Sequence, residues 1–314
     1  ELVSGVDLHF ITSKKFKTNR IKIKFSAPMS MDTIAGRVLA ANMLETANEI
    51  YPTSQIFRER LANLYGANFS TRLSRRGLIH YVDLDVSFVS DAFLSRKNTL
   101  TGEILNFLKD SLLKPLVDGR AFNRTVFEVE KKNVLNDLKA EIEDHFYHAH
   151  QELNKLFYTK QDMQIPHFAT LDLVEKETPK SSFAVFQDML QNDKIDIFFI
   201  GDFNEIEVYE HLKMFGLHPR QPELHLHYHQ EFSNVLKEGL KQNDAHQSII
   251  ELGYHFSVQY GDRNHIPLVV LDGLLGGFAH SKLFVNIREK ESLAYTISSS
   301  IDIFSGMMRS YAGI

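Results

Sequence analysis

The sequence predicts an α+β fold of two homologous domains, each an antiparallel sheet with helices packed mainly on one face. One observation is the alternation of polar and apolar residues in strand-like segments such as "IHYVDLDVSF" at 79–88. A strand of this kind has one wet face and one buried face, as antiparallel sheets commonly do. The other observation is that the order strand, helix, helix, strand, strand occurs twice along the 314 residues. On the polar side of 79–88 stand Tyr81, Asp83, Asp85 and Ser87, and on its apolar side Val82, Leu84, Val86 and Phe88.

The first copy of this order begins with a predicted β-hairpin, because "VDLHFIT" and "NRIKIKFSA" alternate on either side of the polar link "SKKFK". The next segment, "MDTIAGRVLAANMLETANEI", has apolar residues at helical spacing, and Pro52 ends it. A second helix is predicted for "TSQIFRERLANLY", which starts with Thr and Ser and has Gly66 just past its end. The strands "ANFSTRLSRR" and "LIHYVDLDVSF" then flank Gly77.

The second copy follows residue 245, with "QSIIELGYHF" as its first strand. Two helices are predicted for "NHIPLVVLDGLLG" and "SKLFVNIREK", and two strands, "SLAYTISSSIDIF" and "MMRSYAGI", flank Gly306. Predicted element starts near 20, 33, 53, 68 and 78 recur near 248, 263, 280, 293 and 307, at offsets between 225 and 230. Five elements at a near-constant offset indicate two homologous domains.

Between the two copies the sequence predicts long helices, then the strand "KIDIFFIGDF" and the helix "NEIEVYEHLKMF". These complete a first domain at 1–217. A linker is predicted at 218–232, where prolines and histidines are concentrated. The second domain covers 233–314 and is expected to be truncated in this chain, because it lacks the long helices that the first domain has.

The composition excludes several classes of protein. The absence of cysteine rules out disulfides, thiolate zinc ligands and cysteine nucleophiles, and it fits a cytoplasmic protein. A net charge of −5 gives no general attraction to nucleic acid. No apolar run approaches the ~18 residues that a membrane span needs.

The second copy carries the most distinctive motif, "REKESLAYTISS", within "LDGLLGGFAHSKLFVNIREKESLAYTISSSI" and followed by "YAG" in the next strand. This arrangement resembles the pitrilysin clan of zinc peptidases, which includes insulin-degrading enzyme and the mitochondrial processing peptidase. Arg288 and Tyr295 match the Arg and Tyr of the family's motif. The segment "VEKKNVLNDLKAEI" is similar to the helix that carries the family's third zinc ligand.

The chemistry of the family needs an inverted zinc motif, His-x-x-Glu-His, on the first helix of the first domain. The resemblance places this motif near residues 39–44, which read "LAANML", and "GRVLAANMLETANEI" contains no histidine. The third-ligand position is Asp137 and the outer Glu position is Glu130. Without two imidazoles these acids would bind zinc poorly. We therefore expect no metal or other cofactor on this chain.

In two-chain members of the clan, one chain carries zinc and the other lacks it. The resemblance therefore implies that this chain is the zinc-free subunit of a two-chain metallopeptidase, with a zinc-bearing homologous subunit as partner and a peptide as substrate. Arg288 and Tyr295 would act in trans, Tyr295 by donating to the oxyanion and Arg288 by holding a peptide carbonyl or carboxylate. An offset of 225 puts Ser70 opposite Tyr295 in the first domain, so that copy would lack the tyrosine.

Other interpretations stay open. Arg288 is equally consistent with an ordinary surface arginine and Tyr295 with a half-buried strand tyrosine. The whole chain is consistent with a non-catalytic scaffold or regulatory homologue, of the kind linked to elongation factor P modification, with a homodimer in isolation, or with a peptidase that uses an unrecognised metal site. Two histidine groups compete as metal ligands. They are Glu141 with His145 and His148, and the alternating set His225, His227 and His229.

Overall fold

The computed structural model describes residues 1–95, 100–242 and 247–314. The chain forms two compact units, both discontinuous in sequence. The first comprises 1–75, 80–135 and 167–224, and the second comprises 76–79, 136–166 and 225–314. Part of the long helical region between the two copies thus belongs to the second unit. Within the described residues, no helix has the length and apolar character needed to cross a membrane.

The strands are β1 Val6–Thr12, β2 Thr18–Pro28, β3 Asn68–Arg76, β4 Ile79–Val89, β5 Lys194–Gly201, β6 Ile249–His255, β7 Thr296–Asp302 and β8 Met307–Gly313. The α-helices are α1 Ile34–Thr46, α2 Ser54–Asn63, α3 Leu100–Leu113, α4 Arg124–Glu143, α5 His145–Phe157, α6 Gln161–Gln164, α7 Leu171–Lys176, α8 Pro179–Asn192, α9 Glu205–Lys213 and α10 His265–Asp272. A 3₁₀ turn covers Asp91–Phe93, and two π-helical segments cover Gly273–Gly277 and Phe284–Lys290. The predicted α+β class is confirmed.

The first sheet has the strand order β1-β5-β2-β4-β3. The predicted hairpin of the first two strands is wrong, because β5 lies between them, parallel to β1 and antiparallel to β2. Alternation shows which face of a strand is buried but does not identify its neighbours. Strand β5 is buried through Ile195, Ile197 and Phe199. A buried strand needs hydrogen-bonded neighbours on both edges, because water cannot reach its backbone groups.

The alternation predicted for β4 is confirmed on the apolar side, where Val82, Leu84, Val86 and Phe88 are all buried. The polar side is less wet than predicted, since Asp83 is only 3% exposed. Its carboxylate accepts hydrogen bonds from Lys22 Nζ at 2.9 Å and Lys24 Nζ at 2.7 Å on β2. Two lysines therefore cover the acid and pair with it, which an alternation pattern does not reveal.

Helix α1 is buried along most of its length, since it is apolar on nearly every side. It packs against α8, and Gly36 allows the close approach. A Cβ at that position would lie 2.8 Å from Val185 Cγ2. This packing places the segment 39–44 inside the core of the first unit.

The second sheet has the order β6-β8-β7, and both pairs are antiparallel. Its order matches the order β2-β4-β3 within the first sheet, strand for strand in the two copies. Helix α5 packs on one face, where a Cβ at Gly253 would lie 3.0 Å from Phe157. The end of α10 is held to β7 by Ser299 Oγ, which donates to Asp272 Oδ1 at 2.6 Å.

Candidate functional site

The candidate site lies at the junction between the π-helical segment Phe284–Lys290 and strand β7. The π-helical segment ends with an i→i−5 hydrogen bond, which the backbone N–H of Glu291 donates to the Asn286 carbonyl at 3.2 Å. Ser292 then has a φ of 52°, a left-handed conformation that reverses the chain. Tyr295 precedes β7, and its backbone N–H donates to Gly313 O at 3.1 Å. The helix therefore ends before Tyr295, as the sequence predicted.

The structure brings Arg288 and Tyr295 together. The guanidinium carbon of Arg288 lies 5.2 Å from the centroid of the Tyr295 ring and 4.6 Å from the centroid of the Phe284 ring. Both distances are within the range of a cation–π interaction. Sequence reasoning did not single out Phe284. Its signal was available, because a residue four positions before Arg288 faces the same side of a helix.

The polar ends of this pair face solvent. Tyr295 is 78% exposed, so the interpretation as a half-buried strand tyrosine is wrong. The nearest acid to Arg288 is Glu289, whose Oε1 lies 3.8 Å from Nε, too far for a hydrogen bond. Within the described part of the chain the guanidinium makes no hydrogen bond. Its donors and the tyrosine hydroxyl are therefore free to contact a bound molecule.

The first unit contains a second Arg–Tyr pair at the same spacing. The fragment "RERLANLY" at 58–65 has the same Arg-to-Tyr spacing as "REKESLAY" at 288–295. Tyr295 directly precedes β7, and the residue that directly precedes β3 is Ala67, so the counterpart of Tyr295 by position is neither the predicted Ser70 nor Tyr65. The first copy therefore has no tyrosine at this position. Arg58 Nη2 lies 3.8 Å from Glu45 Oε1.

The zinc-motif position on α1 does not fit a metal ion. Five of the six residues at 39–44 are buried apolar side chains, and the sixth, Asn42, donates to the Val38 carbonyl at 2.9 Å. Glu130 on α4 accepts a hydrogen bond from Thr46 Oγ1 at 3.0 Å, and Asp137 is exposed. No imidazole or carboxylate stands on α1 between 39 and 44 to ligate zinc.

A buried polar network holds α1 instead. Arg37 Nη2 and Asp193 Oδ2 lie 2.8 Å apart as an ion pair, and each side chain is 3% exposed. Arg37 Nε donates to His80 Nδ1 at 3.0 Å, and His80 Nε2 donates to the His167 carbonyl at 2.8 Å. Burial and the Arg37 charge hold the pKa of His80 well below its usual value, so this histidine is neutral. The network stabilises the fold.

In each of the two histidine groups suggested by the sequence, one member has a contact outside the group. His148 lies 4.0 Å from Glu152, and burial lowers its pKa. His229 Nε2 is 3.0 Å from Gln259 Nε2. Across residues 1–95, 100–242 and 247–314, no group of three or more His, Asp or Glu side chains is arranged to hold a metal ion.

Several known proteins are similar to this chain in sequence. A family model described as "Peptidase M16 inactive domain" matches residues 176–314. The "Probable inactive metalloprotease YmfF" of Bacillus subtilis (strain 168) is 27% identical over 311 residues, which cover 99% of this chain and 73% of that protein. The "Uncharacterized zinc protease YmxG" of the same organism is 23% identical over 238 residues, which cover 71% of this chain and 55% of that protein.

Among solved structures, a conserved protein from Enterococcus faecalis V583 is similar over the whole chain. The sequences are 37% identical, the TM-score is 0.97, and the match covers 100% of this chain and 74% of that one. The fold described above is therefore shared with an experimentally determined relative.

Proposed function

Because this chain belongs to the M16 peptidase family, as a homologue of its inactive members, we propose that it is the zinc-free subunit of a two-chain peptidase. In this proposal it supplies Arg288 and Tyr295 to the active site of a zinc-bearing homologous subunit, and the substrate is a peptide. The observation that carries the proposal is a contrast within the chain. The zinc-motif position is filled with buried apolar side chains, whereas the Arg–Tyr pair is assembled, with Tyr295 exposed and Arg288 partly exposed.

The two side chains have complementary chemistry. A tyrosine hydroxyl in solvent contact can donate a hydrogen bond to the oxyanion that forms when a peptide carbonyl is attacked. The arginine fork can bind a peptide oxygen and orient the chain before reaction. The contact between Arg288 and the Tyr295 ring keeps both donors in one place, so that one peptide can reach both. Neither residue could activate water by itself, which is why the proposal needs a partner.

The choice of partner is supported by the two curated relatives. Both are from one organism, and one is named as a probable inactive metalloprotease while the other is named as a zinc protease. Two homologues of these contrasting kinds in one cell are what a two-chain peptidase requires. We infer that the organism of this chain contains a zinc-bearing homologue with which it pairs.

The test is reconstitution of the pair. The chain and the zinc-bearing homologue from the same genome are purified separately and mixed, and cleavage of a quenched reporter peptide is followed. We expect neither protein to match the activity of the mixture, and we expect a complex by size-exclusion chromatography. Full activity of the zinc-bearing homologue alone, unchanged by this chain, would contradict the proposal and favour a non-catalytic scaffold or regulatory role.

A further inference from the structure

We propose that Phe284 is a positioning residue that, together with the ring of Tyr295, holds the Arg288 guanidinium as a receptor for a carboxylate of the peptide substrate. This inference rests on the proposed function in taking the Arg–Tyr pair as the place where peptide binds. It adds a third residue to the site and a chemical preference to the substrate.

The first step of the argument is the geometry of the stack. The guanidinium lies over two rings at once, at 4.6 Å from the Phe284 centroid and 5.2 Å from the Tyr295 centroid. A guanidinium contacts a ring through its flat face and donates hydrogen bonds from its edge. The two rings therefore restrain the group while leaving its donors available.

The second step is that the backbone carrying each ring is fixed to the fold. The backbone N–H of Phe284 lies 3.4 Å from Oγ of the buried Ser281, at the start of the π-helical segment. Tyr295 is tied to β8 through its backbone bond to Gly313. Because the rings come from two separately fixed elements, the arginine between them loses little further freedom when a ligand binds, and this favours affinity.

The third step is the charge and shape of the receptor. Two parallel N–H groups of an arginine fork match the two oxygens of a carboxylate. The nearby Glu289 does not satisfy the fork, since it is 58% exposed and its oxygen stays 3.8 Å from Nε. A single fork of one positive charge suits a carboxylate better than a phosphate, which proteins usually hold with several donors.

The Arg58–Tyr65 pair provides an internal comparison. The position four residues before Arg58 is Ser54, where the second unit has Phe284. Arg58 lies toward Glu45 rather than over a ring. The same spacing without the aromatic residue thus does not assemble the stack, which supports a specific role for Phe284.

The experiment measures peptide binding to the isolated chain, which needs no partner and no catalysis. Three labelled peptides share one sequence and are compared by fluorescence anisotropy. The first has one Glu and an amidated C-terminus, the second has Gln and a free C-terminus, and the third has Gln and an amidated C-terminus. We expect at least one of the first two to bind about tenfold more tightly than the third, and the better of them identifies the source of the carboxylate.

The variants test the role of the two aromatic rings. Phe284→Leu and Tyr295→Leu should each weaken binding of the carboxylate peptide about two- to fivefold. Phe284→Trp should keep the binding of the parent chain, because it retains an aromatic ring at this position. Binding of the neutral peptide should not change in any variant. Arg58→Ala is the matched control, and circular dichroism confirms folding.

Equal binding of the three peptides to the parent chain, or undetectable binding, overturns the inference. So does a Phe284→Leu variant that keeps the full carboxylate preference. Carboxylate-selective binding by a chain that fails to activate any zinc-bearing homologue would uphold the receptor and reject the proposed function, so the two failures are distinguishable.

Discussion

The two Arg–Tyr pairs of this chain have the same spacing but different surroundings. Arg58 lies within α2, which ends at Asn63, and Tyr65 follows that helix. Arg288 lies in a π-helical segment that ends before Tyr295, and there the arginine lies over the tyrosine ring. π-Helical turns are rare and frequently occur at functional sites. The same spacing is therefore found in two different helix geometries, and spacing alone does not make a site.

The comparison extends to the two units. In the first, the position of the family's zinc motif is part of the core, and charged residues such as Arg37 are buried in a structural network. In the second, Tyr295 is exposed and Arg288 is partly exposed. We expect substitutions in the first unit to change stability and substitutions at the Arg288–Tyr295 site to change function, and the predictions below test this division.

The largest effect is expected for Arg37→Met. This substitution leaves the buried carboxylate of Asp193 without its ion pair, and burial already raises the pKa of that carboxyl. Removing one partner of a buried pair typically costs about 3–5 kcal/mol. Urea denaturation should show this loss, whereas Arg58→Met, at an exposed arginine, should change the free energy of unfolding by less than about 0.5 kcal/mol. A similar small change for both variants would contradict the structural role of Arg37.

Next in size is Tyr295→Phe in the reconstituted pair. The change removes one hydroxyl, and loss of one oxyanion donor typically lowers kcat about 10²–10³-fold. Complex formation should be unchanged by sizing. Tyr65→Phe, the same change in the first unit, is the control and should leave kcat at the parent value. If both variants turn over like the parent, Tyr295 has no part in the chemistry.

Arg288→Ala should have a smaller effect, with a different kinetic signature. It removes a contact made to the bound peptide in the ground state as well as in the transition state, so KM should rise and kcat/KM should fall about tenfold. Steady-state kinetics on the reporter peptide separate the two constants, with Arg58→Ala as the matched control. A fall in kcat with KM unchanged would assign Arg288 to the transition state alone.

The smallest expected effect is a loss of stability in acid. Burial lowers the pKa of His167 to about 4, and His80 is shifted in the same direction. The pKa of histidine in the unfolded chain is about 6.5. The unfolded state therefore binds more protons as pH falls from about 6.5 toward 4, and the free energy of unfolding decreases in that window.

We expect this loss to be about 1 kcal/mol for His167. It is measured as the difference in urea-derived stability between pH 7 and pH 4.5. His167→Gln should flatten the dependence, and the exposed His218→Gln should keep it. A His167→Gln variant with the same pH dependence as the parent would show that His167 does not cause it.

The sequence by itself determined the α+β class, the buried side of β4 and the absence of histidine at the zinc-motif position. These are local properties, since alternation has a period of two residues and a motif is either present or absent in a short segment. The selection of Arg288 and Tyr295 as candidates depended on the resemblance of a short motif to a known family. Whether the two act in trans stays a prediction.

Only the tertiary structure decided which elements lie side by side. It placed β5 between β1 and β2, brought Asp193 to Arg37 from 156 positions along the chain, and set Phe284 against Arg288 in a turn of π geometry. Such neighbours are chosen by the burial of distant apolar surfaces and by the pairing of buried charges, which a local pattern does not encode.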